Sequence, residues 1–361
     1  MKHLANQFLE RNLEAETFET VDDIRQILLQ SIPIIDVRSP LEFAQGAVPN
    51  AVNLPLLNDG ERAKVGTAYK EGGLQSAIAK GLEILPKDSR DVRVARWIRF
   101  LEQHPNGLIC CWRGGLRSKI VQIWLHETGW QVPRIVGGSK AIRTFCMNTI
   151  DAAGQYNYVV LAGRTGSGKT QLLKALQPSI DLEGLAHHRG SAFGGDTASQ
   201  PLPINFESAL ARDLLRFRPT RNILVEDESR VIGKLAVPES LFKKMGLSPV
   251  VVLQAEETER IQHIYHSYVE GTAEEVILSN LEKIRKRLGM ERYLEIRAAI
   301  QNAYHTRDRE DHFSWLTLLL RYYYDPMYDY QLARKKDRLI HSGPKNAVKE
   351  FLMTKFDFQS K

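Results

Sequence analysis

The sequence predicts an α/β fold in three parts: a parallel α/β domain over residues 1–150, a second parallel α/β domain over 151–270, and a helical region over 271–361. Three observations carry this. Short β-branched runs alternate with helical periodicity in the N-terminal part, the mark of parallel strand–helix–strand units. In the middle, the apolar run 156–162 leads into Gly163-Arg164-Thr165-Gly166-Ser167-Gly168-Lys169-Thr170 and then into a helical stretch closed by Pro178, giving strand, glycine loop and helix in succession. Beyond residue 271, Ile277, Leu281, Ile284 and Leu288 recur at helical spacing.

Composition narrows the class. A chain of 361 residues has room for two or three domains, and 43% hydrophobic with 25% charged residues is the balance of a globular protein. The net charge of +6 permits a polyanionic partner. No apolar run approaches a membrane span, and the first residues do not form a signal peptide. Three cysteines in so long a chain argue against a disulfide framework. A cytoplasmic compartment, where thiols stay reduced, is therefore expected.

In the first domain, residues 1–30 read as a short strand and a helix with Val21, Ile24, Ile27 and Leu28 on one face. Residues 33–38 read as a buried strand ending in Asp36 and Arg38. Residues 61–105 read as helical, with 65–73 as a loop. Leu108, Ile109 and Cys110 end a strand, Cys111-Trp112-Arg113-Gly114-Gly115-Leu116-Arg117-Ser118 forms a tight loop, and 119–125 is a helix. Cys111 thus lies in a cradle of backbone amides at a helix N-terminus, with Arg113 and Arg117 close by. Both features stabilise a thiolate and attract an anion. Such a thiolate can attack a sulfur, selenium or phosphorus atom held in the loop. Cys110 and Cys146 read as core residues. A phosphatase loop would carry His before its nucleophile, where this chain has Cys110, and no general-acid loop follows. Residues 130–140 supply a last strand and turn, and a helix over 140–150 leads to the boundary.

In the second domain, Gly163, Gly166 and Gly168 let backbone N–H groups converge on phosphate oxygens, Lys169 adds a full charge, and the Thr170 hydroxyl suits Mg²⁺. This is a P-loop. It predicts a phosphate-chain ligand without saying whether that ligand is ATP. The loop containing His187, His188 and Arg189 is a candidate for meeting a second substrate, or a surface loop. A hydrophobic strand ends in Glu226, Asp227 and Glu228, the Walker B arrangement; which acid would hold Mg²⁺ stays open. Residues 257–268 read as a helix in which Glu259 and Arg260 form either a lid or a solvated face. No permanently bound metal is expected, since His187 and His188 lack zinc spacing.

In the third part, Thr272 and Glu275 have capping-box spacing. Lys283, Arg285, Lys286 and Arg287 lie opposite the apolar stripe. Further on, Tyr323 and its aromatic neighbours precede Arg334, Lys335 and Lys336. Basic residues interleaved with tyrosines suit single-stranded RNA, where cations meet phosphates and rings stack on bases. The same pattern suits a packed aromatic helix edge with a solvated basic face.

Asp36-Val37-Arg38, Glu42-Phe43, Gly46-Ala47-Val48, Ala51, Asn53 and Pro55 resemble the opening motif of a rhodanese domain, and residues 111–118 resemble its active-site loop. Ala47 departs from the His that many rhodaneses carry there. A rhodanese-like domain followed by a P-loop NTPase-like domain, with these two loops in this order, resembles the tRNA 2-selenouridine synthase family over nearly the whole chain. The resemblance implies a transferase acting on tRNA. The wobble 2-thiouridine is first S-geranylated with geranyl diphosphate, and the geranylthio group is then replaced by selenium from selenophosphate. It implies that Cys111 with Arg113 and Arg117 serves selenium transfer, that the P-loop grips a diphosphate with Mg²⁺ as an expected companion, and that the basic C-terminal region contacts tRNA. Two alternatives stand beside it: a sulfurtransferase fused to an ATP-dependent kinase, and a non-catalytic tRNA- or nucleotide-binding redox regulator.

Overall fold

The apolar triplets of the N-terminal part form short parallel strands: β1 (Thr20–Val21), β2 (Ile34–Asp36), β3 (Ala51–Asn53), β4 (Leu108–Cys110) and β5 (Arg134–Ile135), in the order β1-β5-β4-β2-β3. The computed structural model describes residues 18–188 and 199–361. Register sets Ile34, Ile35 and Asp36 beside Leu108, Ile109 and Cys110. The loops that follow β2 and β4 therefore leave the same edge of the sheet, where ligands of open parallel sheets bind. Beneath them Ile35, Val37, Ile109, Trp97, Leu101 and Trp124 pack into one core.

Two expectations for this part change. Residues 65–72 are helical rather than a loop: two helices make up Asp59–Ile84 and meet at a kink at Gly73 (φ 70°, ψ −160°). A reciprocal capping box between Asn58 and Glu61 starts the first of them, and the glycines at 66 and 72 are absorbed within it. The first boundary falls at residue 150 as expected, but the first unit gains a distant segment. One compact unit runs up to Thr149 and takes in Leu202–Leu215; the other comprises Ile150–Pro201 and Arg216–Lys361. The helix Pro203–Leu215 buries Phe206, Leu210, Ala211 and Leu214. Arg25 donates to the Leu215 carbonyl, and the Ala47 N–H donates to Asn205 Oδ1. Ala47 thus helps to seat this helix.

The second unit has a parallel sheet of β6 (Asn157–Ala162), β8 (Ser179–Ile180), β9 (Asn222–Glu226), β12 (Val250–Gln254) and β13 (Leu339–Pro344), in the order β13-β12-β6-β9-β8. Two antiparallel pairs accompany it: β7 (Leu176–Gln177) with β14 (Gln359–Ser360), and β10 (Val231–Ile232) with β11 (Leu235–Ala236). Thus 271–361 is not helical throughout. Its last part returns to the sheet as an edge strand, and the helix Lys345–Phe356 places Val348 and Leu352 in one core with Val159, Leu161, Leu224 and Val251. The helices Glu274–Leu288, Met290–Thr306, Arg309–Leu319 and Asp325–Ala333 gather around Ile277, Leu281, Ile284, Ile296 and Trp315. The Thr272–Glu275 capping box does not form, because the helix begins at Glu274 and its cap, Ala273, offers no side-chain acceptor. No helix among the described residues is long and apolar enough to cross a membrane.

Candidate functional site

In the first unit, Asp36 and Arg38 are fully buried and paired. Arg38 Nε reaches both Asp36 carboxylate oxygens at 3.0 and 2.8 Å, and its Nη atoms donate to the Glu42 and Gly46 carbonyls. A buried charge pair endures only when its remaining donors are spent in this way. Here they shape the turn after β2. Glu42 caps its short helix by accepting from Ser39 N–H and also takes Arg117 Nη1 at 2.5 Å. The Asp-Val-Arg motif and the cysteine loop are thus one device. Glu42 is held below the usual carboxylate range: burial opposes its charge, but Arg117, the Ser39 N–H and Arg62 outweigh burial.

The Cys111 thiol is buried, 3.4 Å from Ser118 Oγ, whose hydroxyl donates to the Gly115 carbonyl. Gly115 caps the helix Leu116–His126, so the loop ends at a helix N-terminus, whose first N–H groups have no partner within the helix. The loop is tied down from outside by the Ser139 N–H on the Cys111 carbonyl and the Lys140 N–H on that of Trp112. Gly138, at φ 59°, is required there, because a Cβ would fall onto the Cys111 carbonyl oxygen. Arg113 is exposed. Beside the loop lies a cavity of about 560 Å³ lined by Arg38, Glu42, Trp112, Arg143 and, from the helix 203–215, Ile204 and Ser208. Cys110 and Cys146 are core residues as expected. Burial, with Asp36 close by, pushes the Cys110 thiol well up, and burial raises Cys146 to about 11, so neither is a ready nucleophile.

In the second unit the glycine loop follows β6 directly. Gly168 is left-handed and caps the helix Lys169–Ala175. Gly166, at φ 81°, passes so close to the helix Glu257–Ile264 that a Cβ would come within 2.7 Å of the Arg260 carbonyl. Lys169 Nζ donates to the Gly163 carbonyl at 2.7 Å and lies 5.4 Å from the Tyr328 ring centre. Gly163, Gly166, Ser167 and Gly168 open onto a cavity of about 1040 Å³, whose other walls include Gln254, His263, Tyr328 and Lys345. Arg260 is neither a mobile lid residue nor solvated. It is buried, donating to the Thr165 carbonyl and to both Asp325 oxygens.

The three Walker B acids separate. Glu226 is buried and accepts the Glu183 N–H, and burial, then Asp181, pushes its pKa well up. Glu228 is raised to about 8 by burial and by Glu183, against the pull of Lys169. Asp227 is taken by Lys335, whose Nζ lies 2.6 and 2.5 Å from its two oxygens. Among the described residues no group of His, Cys, Asp or Glu is placed to hold a metal ion. A hard dication needs several charged or carbonyl oxygens turned toward one point. Of the three acids, Asp227 has both oxygens committed to Lys335.

His187 caps the helix Leu182–Ala186 in left-handed conformation, and burial and nearby Lys283 lower the pKa of His188. Arg189 lies outside the described residues. Lys283, Arg285, Lys286 and Arg287 are exposed on the helix Glu274–Leu288, as the sequence predicts. Arg285 pairs with Glu282, and Arg287 donates to the Tyr323 hydroxyl. Two residues expected to touch RNA are otherwise placed. Tyr323 is buried in the helical core, its ring unavailable to a base, within the π-helical segment Leu320–Tyr324. Lys335 is held at Asp227. Arg334 and Lys336 remain exposed. Sequence reasoning named Glu42 in the opening motif but not its pairing with Arg117, and it missed Glu183 and the helix 203–215. The amphipathic stripe of that helix was visible, but nothing in it names the surface it covers.

Residues 156–358 match the family described as tRNA 2-selenouridine synthase AAA domain, and residues 20–144 match the rhodanese-like domain family. The chain is 42% identical to the tRNA 2-selenouridine synthase of Serratia proteamaculans, the match covering 93% of this chain and 96% of that one. It is 41% identical to that of Shewanella frigidimarina (91% and 96% covered) and 42% identical to that of Cupriavidus necator (91% and 96%).

Proposed function

The chain belongs to the tRNA 2-selenouridine synthase family of tRNA-modifying transferases, and on that premise we propose that it converts the wobble 2-thiouridine of tRNA in two steps, one in each unit. In the first, geranyl diphosphate lies with its diphosphate on the P-loop. The allylic carbon–oxygen bond breaks with its electron pair leaving on pyrophosphate, the carbon–sulfur bond forms, and the uridine N3 proton goes to solvent. Charge grows on the leaving group, so Lys169 favours the transition state over the ground state. In the second, selenophosphate supplies selenium at the Cys111 loop. The C2–selenium bond replaces the C2–sulfur bond, the geranyl thiol departs, and water takes the phosphoryl group to phosphate.

The observation that carries this reading is the pairing, in one chain, of two anion cradles of different chemistry. One holds a buried thiol in the loop whose Arg117 pairs with Glu42; the other opens its glycines onto a large cavity, with Lys169 held at the Gly163 carbonyl. The exposed basic face of the helix Glu274–Leu288 supports contact with the tRNA backbone. A second reading of the P-loop ligand, a nucleotide, is favoured by the polar walls Gln171, Gln254 and Asn346, which suit a hydrogen-bonding head. Competition of ATP against geranyl diphosphate separates the two.

The test is the nucleoside profile, by mass spectrometry, of thiolated tRNA incubated with geranyl diphosphate and then with selenophosphate. The S-geranyl nucleoside is expected first and 2-selenouridine after it. Selenouridine formed at full rate from selenophosphate alone would overturn the two-step order.

A further inference from the structure

We propose that Lys335 is the resident cation of the P-loop site, standing at Asp227 where a divalent ion would otherwise be held, so that diphosphate departure proceeds without a metal. This rests on the reading that the P-loop takes a diphosphate.

The placement is built, not incidental. Asp227 follows β9, and its N–H donates to the Leu161 carbonyl, so its carboxylate is pinned beside the strand that feeds the glycine loop. Lys335 arrives from the far end of the sequence, just after the helix Asp325–Ala333. That helix is fastened to the glycine loop itself. Arg164 forks both Asp329 oxygens at 2.7 Å and reaches Asp325. Arg260 bridges Asp325 to the Thr165 carbonyl. Tyr328, on the same helix, faces the Lys169 ammonium. A lysine meant for a flexible nucleic-acid surface needs none of this. Lys335 is instead mostly buried, with its ammonium shared between both oxygens of one carboxylate.

The chemistry follows. A Walker B carboxylate holds positive charge near the departing phosphate oxygens. An ammonium delivers such charge without octahedral coordination or bound water. A metal bound on Asp227 would have to displace Lys335. On this proposal Lys169 and Lys335 both supply positive charge to the departing pyrophosphate, its electron pair moving onto the bridging oxygen as the carbon–sulfur bond forms.

The experiment uses the full chain with Mn²⁺ alone as the probe, followed by electron paramagnetic resonance, in wild type, Asp227→Asn, Lys335→Met and the double variant. Wild type and Asp227→Asn should bind Mn²⁺ equally weakly. Lys335→Met should gain roughly tenfold or more in Mn²⁺ affinity, a gain absent from the double variant. In a geranylation assay, wild type should keep its rate in EDTA within about twofold, whereas Lys335→Met should fall by about 10²-fold and recover with Mg²⁺. Wild-type Mn²⁺ binding that is lost in Asp227→Asn, wild-type geranylation that stops in EDTA, or a folded Lys335→Met with no gain in Mn²⁺ affinity would each overturn the proposal. If Lys335→Met does not fold, the two wild-type arms still decide. If no variant geranylates tRNA, the diphosphate reading fails, while the Mn²⁺ comparison judges Lys335 by itself.

Discussion

Glu42 shows how the partners of one carboxylate set the pH range of a site. Its pKa is lowered in the native state, so it stabilises the fold above the ordinary carboxylate value near 4.5. That stabilisation is lost as pH falls through the lower native value. Glu42→Gln should therefore lower the melting temperature at pH 7 and make little difference well below pH 4, a contrast that melts at both pH values would measure. Cys111 lends itself to a sharper test. Cys111→Ser keeps the loop's shape but is a far poorer nucleophile. Thiolated tRNA given both donors should then accumulate the S-geranyl nucleoside and make no 2-selenouridine, whereas Cys110→Ser and Cys146→Ser should still make it. The cysteine loop was legible because its nucleophile, glycines and arginines are contiguous. The pairing of Glu42 with Arg117 was not, since the two meet across 75 positions and no local pattern joins them.

Among the elements, the helix Glu274–Leu288 and the helix Lys345–Phe356 answer to different forces. The first buries Ile277, Leu281, Ile284 and Leu288 and leaves its cations in solvent, so both faces were readable from spacing. Charge reversal of Lys286 and Arg287 should weaken tRNA binding and flatten its dependence on salt, as fewer counterions are released; an unchanged slope would mean that this face is merely solvated. The second helix was legible as a helix, but its destination was not. Leu352 lies in the core of the parallel sheet, and Leu352→Ala should cost about 2–5 kcal/mol of unfolding free energy in the second unit. A helix free of the sheet would lose far less. Tyr323 failed as a base-stacking candidate for a related reason: the aromatic run was visible, but the core that buries its ring was not.

At the scale of the whole molecule, the two chemical loops divide the proposed labour, and their variants should fail at different steps. Lys169→Ala should slow geranylation by roughly 10²–10³-fold, comparable to losing one oxyanion donor. Supplied with tRNA already geranylated, it should still form 2-selenouridine, because no diphosphate takes part in that step. The fold class and both loops could be read from the sequence because each is written in consecutive residues. The unit to which the helix Pro203–Leu215 belongs could not, because its seat is made by Gly46, Ala47 and Arg25, far away in the chain.

That helix bears on how the protein is made. During synthesis the first sheet is complete once Ile135 has emerged, yet the wall of its cavity waits until Leu215 has followed. In the interval the seat for Ile204 beside Gly46 lies open, with the Ala47 N–H unspent. Chain growth alone thus imposes a delay between forming the cysteine loop and closing the chamber beside it. A fragment ending before β6 should accordingly be loosely folded, and a synthetic peptide of residues 202–215 added in trans should tighten it. A rise in amide protection around Gly46 and Arg143 on adding the peptide would show the helix acting as the last piece of the first unit.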